Sequence, residues 1–325
     1  MIKFRTPYQP TPGRFLLSPE SPALLIGSCF ADNMAASMRA CLWDAANPGG
    51  TLYNPLSIAN VLELTLDNTG NLSFIEDSIF CDSRGLWHSW LFDSSVSDTS
   101  REDVMRKISV KVEELQHRIA HSSVIFVTFG TAWVYTTDSF HCRIVANCHK
   151  QPASSFSRRR LSAEEITTLW SDLLQRLHAR YPQLKVVFTV SPVRHLKDGF
   201  TENSLSKATL LLAVNSLTEQ FTDFTDYFPA YEILIDDLRD YRFYAADLTH
   251  PSAEAVEYIW ECLRRTYLDA EGEHLLNEGE RLVRALNHRP LIPSDPANRR
   301  HQEKTRIQCR EFSTLHPGML NPLSM

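Results

Sequence analysis

The chain has 325 residues, 43% apolar and 22% charged, enough apolar material for one elaborated domain with a large core. Its 33 basic and 39 acidic residues leave a net charge of −6 with no Lys/Arg-rich block, which argues against a nucleic-acid surface. No run of about 18 apolar residues occurs, and the first twelve residues are polar and broken by proline, so neither a membrane span nor an export signal is expected. Seven cysteines at irregular spacings make no disulfide framework, and a cytoplasmic setting with reduced thiols is the expectation.

Runs rich in β-branched residues alternate with amphipathic segments, the pattern of parallel strands joined by crossover helices. A first strand is predicted at 23–27 (ALLIG), then helices over 31–41 and, after the Asn54-Pro55 signal, over 56–65. Residues 70–100, rich in Asp, Ser and aromatics without a period, read as an insertion with a short hairpin over one edge of the sheet. A long helix over 101–121 leads to a strand at 124–129 (VIFVTF). The Arg158-Arg159-Arg160 run reads as a solvated loop face. Ser162, with Glu165 three residues later, makes a capping box for a helix to residue 180. Strands at 186–190 (VVFTV) and 231–235 (YEILI) and helices over 202–221, 252–268 and 270–286 follow. From residue 287 the polar, proline-containing tail is expected to be irregular or used for association, which divides the chain into a domain at 1–268 and an appendage at 269–325.

Ser28 stands where the first strand should turn into a helix, with its own N–H and its neighbour's aimed out of the positive helix end. Gly27 permits the sharp turn. Two readings stand: a nucleophile, or simply a helix N-cap. Cys29 is a competing nucleophile by its place at the helix start, or an ordinary core thiol. Asp247, three positions before His250, can hold the imidazole in one tautomer while the other nitrogen takes a hydroxyl proton. Together these give a serine-hydrolase order, Ser first, Asp and His last.

Arg194 and His195 follow a strand and should lie at the carboxyl ends of the sheet, clamping a carboxylate or sugar hydroxyls, or tying loops down. Trp87 and His88, beside Trp90, could form a platform for a sugar ring, or pack the insertion on the sheet. His141, Cys142, Cys148 and His149 lack any recognised zinc spacing and read as core thiols and surface histidines. Asp236 and Asp237 with Glu232 suit capping and solvation better than a glycosidase pair.

The run Gly27-Ser28-Cys29-Phe30-Ala31 spells the signature of the GSCFA family, a branch similar to the SGNH/GDSL hydrolases. Further segments resemble the same family: Tyr53-Asn54-Pro55-Leu56-Ser57-Ile58, Phe129-Gly130-Thr131-Ala132-Trp133-Val134-Tyr135, Asn147-Cys148-His149-Lys150, Ser191-Pro192-Val193-Arg194-His195 and Asp240-Tyr241-Arg242-Phe243-Tyr244. The likeness runs from about residue 20 to about residue 265.

The resemblance implies a three-layer α/β/α sandwich with a mostly parallel five-stranded sheet in flavodoxin-like order. It also implies a triad of Ser28, His250 and Asp247, and oxyanion donors from the Ser28 N–H and Gly50, with Gly49 the alternative. The asparagine that the wider class uses is replaced here in Gly130-Thr131-Ala132, and Asn147, Asn54 and Thr131 are the candidate substitutes. The implied activity is a serine esterase or deacylase acting on a small-molecule or glycan ester, without metal or cofactor. An O-acyltransferase using the same triad is the close variant. A ligand-binding or scaffolding protein on a hydrolase fold is the alternative of another class.

Overall fold

Alternation of side chains along the central strands decides the layering. In the computed structural model, which describes residues 5–66, 72–289 and 296–324, strand β1 (Ala23–Gly27) leads directly into helix α1 (Cys29–Ala40). Strand β2 (Ala45–Ala46) and helix α2 (Pro55–Leu66) follow. The insertion holds helix α3 (Leu72–Asp77) and a hairpin of β3 (Ile79–Cys81) and β4 (Trp87–Ser89). Then come α4 (Arg101–His121), β5 (Val124–Phe129), β6 (Trp133–Thr137), β7 (Arg143–Val145), β8 (Ser157–Arg160) and α5 (Ala163–Arg180). The chain continues through β9 (Lys185–Val190), α6 (Gly199–Gln220), β10 (Thr225–Tyr227), the short α7 (Ala230–Glu232), α8 (Ala253–Tyr267), α9 (Ala270–Leu286) and α10 (Pro296–Leu315).

The central sheet runs β10-β9-β5-β1-β2, all parallel. Counting only these strands in chain order, the arrangement is 2-1-3-4-5, the flavodoxin-like order expected. Leu24, Ile26, Ile125, Val127 and Phe188 face α2, α4, α5 and α6, while Ala23, Leu25, Val124, Phe126 and Val187 face α1, α8, α9 and α10. Because successive residues of a strand point to opposite faces, burying both faces demands the continuous apolar runs seen in the sequence. The result is a three-layer α/β/α sandwich.

Local signals set the helix ends. Ser100 Oγ accepts the Asp103 N–H at 3.0 Å to start α4, and Ser162 with Glu165 completes the predicted capping box of α5. Among the described residues no helix is long and apolar enough to cross a membrane.

Three expectations are corrected. Residues 231–235 are not a strand: α7 continues into a π-helical turn, Ile233–Leu238, and the edge strand is the polar β10 just before it. Arg158 to Arg160 lie in a strand of a small antiparallel sheet ordered β7-β6-β8, where the Arg158 guanidinium sits 4.0 Å over the Trp133 ring. The tail carries α10, whose Cys309 and Phe312 are buried in the core, rather than irregular chain. Beyond α10, the Leu320 N–H donates to the Leu42 carbonyl at 2.8 Å. Residues 70 and 71 of the expected insertion and 290–295 and 325 of the tail lie outside the described residues.

Candidate active site

Of the residues the sequence singled out, Asn54, Thr131, Asn147, Cys148, Arg194, His195 and His250 line one cleft, and Ser28 stands at the carboxyl end of β1. Gly27, closing β1, has φ +139°, and Ser28 follows in extended geometry as the N-cap of α1. Ser28 is 1% exposed; its Oγ accepts the Phe30 N–H at 3.3 Å, and its own N–H donates to the Thr128 carbonyl at 3.2 Å. Cys29 is half-buried, and burial pushes its thiol up rather than activating it.

His250 comes from a tight loop between Tyr244 and Pro251, two residues that bridge antiparallel to each other. The Asp247 carboxylate organises this loop: Oδ1 accepts the N–H groups of Thr249 (2.9 Å) and His250 (3.0 Å), and Oδ2 lies 2.5 Å from His250 Nδ1. The backbone N–H of His250, then that of Thr249 and the imidazole, hold this carboxyl well below the usual carboxylate range. With Nδ1 occupied, Nε2 is the nitrogen left for other chemistry. The ring is about half exposed and lines a cleft of about 470 Å³.

Arg194 links this loop to β9. Its N–H donates to the Thr249 carbonyl at 3.1 Å and its Nη2 to the Leu248 carbonyl at 2.6 Å, while the guanidinium lies 4.4 Å from the Tyr244 ring. His195 packs edge-on against Tyr53 at 6.2 Å and gives its N–H to Asn203 Oδ1. Burial, reinforced by Lys207, lowers its imidazole to about 4, so it is neutral at physiological pH. Both residues line the cleft, as do Tyr53, Thr131 and Asn147.

The oxyanion candidates fare differently from one another. Gly50, at φ +70°, donates its N–H to the Asn47 carbonyl at 3.2 Å, and a Cβ there would sit 2.5 Å from Asp93 Oδ2. The Asn54 side chain starts α2, accepting the Ser57 N–H and donating to Ser57 Oγ. Thr131 Oγ1 pairs with Ser206 Oγ. Asn147 Oδ1 accepts the His149 N–H, and among the described residues no acceptor engages its amide nitrogen.

The insertion residues lie elsewhere. His88 is buried with Nδ1 2.7 Å from Ser97 Oγ and Nε2 3.2 Å from Asp82, and Trp87 packs half-buried on the core. Neither lines the cleft. Among the described residues no group of three or more His, Cys, Asp or Glu is placed to hold a metal ion. Asp237 is structural, binding Arg5, the Tyr8 N–H and the Tyr258 hydroxyl, and Glu232 accepts the Tyr227 hydroxyl.

One residue escaped the sequence reading. Lys207, on α6, is 1% exposed and reaches under the cleft floor. The signal was present: Asn203, Ser206 and Lys207 place polar groups at i, i+3 and i+4, on one face of a helix.

A model of the GSCFA family matches residues 22–263, close to three-quarters of the chain. No curated protein matches its sequence.

Proposed function

The chain belongs to the GSCFA family, and from that premise we propose that it is a serine ester hydrolase with Ser28 as nucleophile, His250 as general base and Asp247 as its orienter. One observation carries the reading: a 2.5 Å contact between Asp247 Oδ2 and His250 Nδ1 on a loop that sets the imidazole against a cleft at the carboxyl ends of the strands. A surface carboxylate satisfied by two backbone N–H groups is fixed in place, and so fixes the ring it holds.

In the proposed reaction Ser28 Oγ, which accepts the Phe30 N–H, donates its own O–H to His250 Nε2 and attacks the ester carbonyl carbon. His250 takes the hydroxyl proton and returns it to the departing alcohol. Water, deprotonated by the same imidazole, then cleaves the acyl-enzyme and releases the acid. Asn147, which lines the cleft and whose amide nitrogen is engaged by no acceptor among the described residues, is the donor best suited to the oxyanion; the N–H groups of Ser28 and Gly50 would have to give up carbonyl partners at 3.2 Å. The aromatic wall of Trp133, Tyr135 and Phe156 suits the CH face of a sugar ring, which favours a carbohydrate ester as substrate. An alcohol in place of water would make the same site an acyltransferase.

A second reading rests on the burial of Ser28 and the engagement of its Oγ and N–H by protein groups: a ligand-binding protein with no turnover. Hydrolysis of p-nitrophenyl acetate and acetylated sugars by wild type and Ser28→Ala decides between them. The hydrolase reading expects a loss of at least about 10³-fold in the variant. Equal rates for the two proteins would defeat it.

A further inference from the structure

Helix α6 turns a row of buried polar side chains toward the cleft floor. Asn203 Oδ1 accepts the His195 N–H at 3.0 Å, and Ser206 Oγ accepts the Ala132 N–H at 2.8 Å. Lys207 Nζ donates to the Gly130 and Ser191 carbonyls, both at 2.7 Å. Gly130 and Ser191 directly follow β5 and β9, so one side chain spans the carboxyl ends of two adjacent central strands. Gly130 in turn lies against the Ser28 turn: a Cβ added to it would stand 3.4 Å from Ser28 Cβ and 2.9 Å from the Tyr53 carbonyl oxygen.

Lys207 has no carboxylate partner among the described residues. The titratable groups facing it are Cys29 of α1, His195 of the loop after β9 and Tyr231 of α7, whose ring centroid is 5.6 Å from Nζ. All three are neutral near pH 7, since burial raises the thiol and the phenol and lowers the imidazole. A buried ammonium without a counter-ion is costly, and an apolar side chain of similar length would fill the space more favourably. The cost points to a use for the charge.

We propose that Lys207 is a positioning residue of the acyl-transfer site, whose ammonium ties the ends of β5 and β9 together and keeps a buried positive charge behind the Ser28–Cys29 turn, where negative charge develops during attack. The proposal rests on the ester-hydrolase reading for its chemistry, but the electrostatic reach of Lys207 is independent of it. Burial brings the amine down to about 7. The favourable charge is therefore present below that value and is lost as pH rises through it, so activity falls on the alkaline side of neutrality.

The tests are Lys207→Gln, which keeps two N–H donors without the charge, and Lys207→Met, which keeps neither. Ester hydrolysis is expected to lose about 10- to 100-fold in kcat in both, with KM within about threefold, and the alkaline limb of the wild-type pH profile should vanish. A Lys207→Gln protein with wild-type kcat and an unchanged alkaline limb overturns the proposal. Site-resolved alkylation of Cys29 by iodoacetamide at pH 6.5 reads the charge without any turnover. It is expected to slow about threefold or more in Lys207→Gln, because the thiolate loses its neighbouring cation; an unchanged rate counts against the proposal. If the wild type hydrolyses no ester, the hydrolase reading falls and the Cys29 rates still decide whether Lys207 acts on the turn. Should the variants unfold, the NMR titration of Lys207 in the wild type replaces them: a midpoint near 7 is expected, and one near the ordinary lysine value overturns the protonation-dependent role.

Discussion

Replacing Gly27 by alanine strikes the junction on which the candidate site is built. At φ +139° an L side chain is strained by about 1–3 kcal/mol before any contact is considered. The new Cβ would lie 2.2 Å from the Thr128 carbonyl oxygen and 2.9 Å from the carbonyl carbon, both backbone atoms of the adjacent strand that no rotamer change can move. Relieving the overlap means pushing β1 away from β5, which costs about 1–3 kcal/mol as overpacking and weakens the 3.2 Å bond from the Ser28 N–H to the same oxygen. A loss of roughly 3–6 kcal/mol is expected, a large part of the ~5–15 kcal/mol that holds a typical domain folded. Gly49→Ala is the control: its Cβ would first meet Ile26 at 3.6 Å, an ordinary contact, and at most about 1 kcal/mol should be lost. Urea denaturation of the three proteins, at constant slope, gives the differences. Equal midpoints for the two variants would refute the argument that the β1–Ser28 turn is fixed by the absence of a Cβ.

Asp247→Asn should leave the fold intact and reduce ester hydrolysis by about 10⁴-fold, because an amide does not hold the tautomer that presents Nε2 as base; the ratio of kcat/KM values checks it. Phe312→Ala should cost about 3–5 kcal/mol in urea denaturation, since the ring is buried in the core; a change below about 1 kcal/mol would mean that α10 does not dock as described. Stability should also depend on pH through Lys207. Its folded-state value of about 7 lies below the 10.5 of an exposed lysine, so between these values the unfolded chain binds a proton that the folded chain lacks. Stability therefore rises with pH in that window, by at most about 1.4 kcal/mol per unit. Wild type should gain about 2 kcal/mol over Lys207→Met between pH 7 and 9 in paired denaturation curves, and a flat difference would contradict a lowered lysine.

Elements with a boundary signal were legible in the sequence to within a residue or two: the Asn54-Pro55 signal placed a helix at 56–65 where α2 runs Pro55–Leu66. Ser162 begins α5 as its capping box announced, and the β-branched run at 124–129 is the strand β5, buried on both faces. The run YEILI failed because four or five apolar residues fit a strand and a buried helical turn equally well, and periodicity cannot separate them. The true edge strand, Thr225–Tyr227, is too short and polar to announce itself. Arg158 to Arg160 are solvated as read, but they lie in a strand and not a loop, because a three-arginine run carries no strand signal. In the fold each guanidinium has a carboxylate partner (Asp198, Glu165 and Glu202), and Arg158 also stacks on Trp133. Lys207 was missed because a lysine in a helix is expected in water, and only the tertiary structure reveals the two carbonyls that receive it. The Asp247–His250 spacing was readable because it is local. Whether Ser28 Oγ can reach that imidazole depends on the packing of residues far apart in sequence, which no local pattern encodes.

The bond from the Leu320 N–H to the Leu42 carbonyl joins the turn after the first helix to a segment 278 residues later. At ribosomal speeds of about 5–20 residues per second, that partner emerges roughly 14–56 s after the turn it completes. Until α8 and α9 have been made, then, the apolar face of α1 that they cover is open to solvent. The order of manufacture makes this layer of the sandwich the last to close, and it is where a nascent chain of this protein would be most prone to associate with its neighbours.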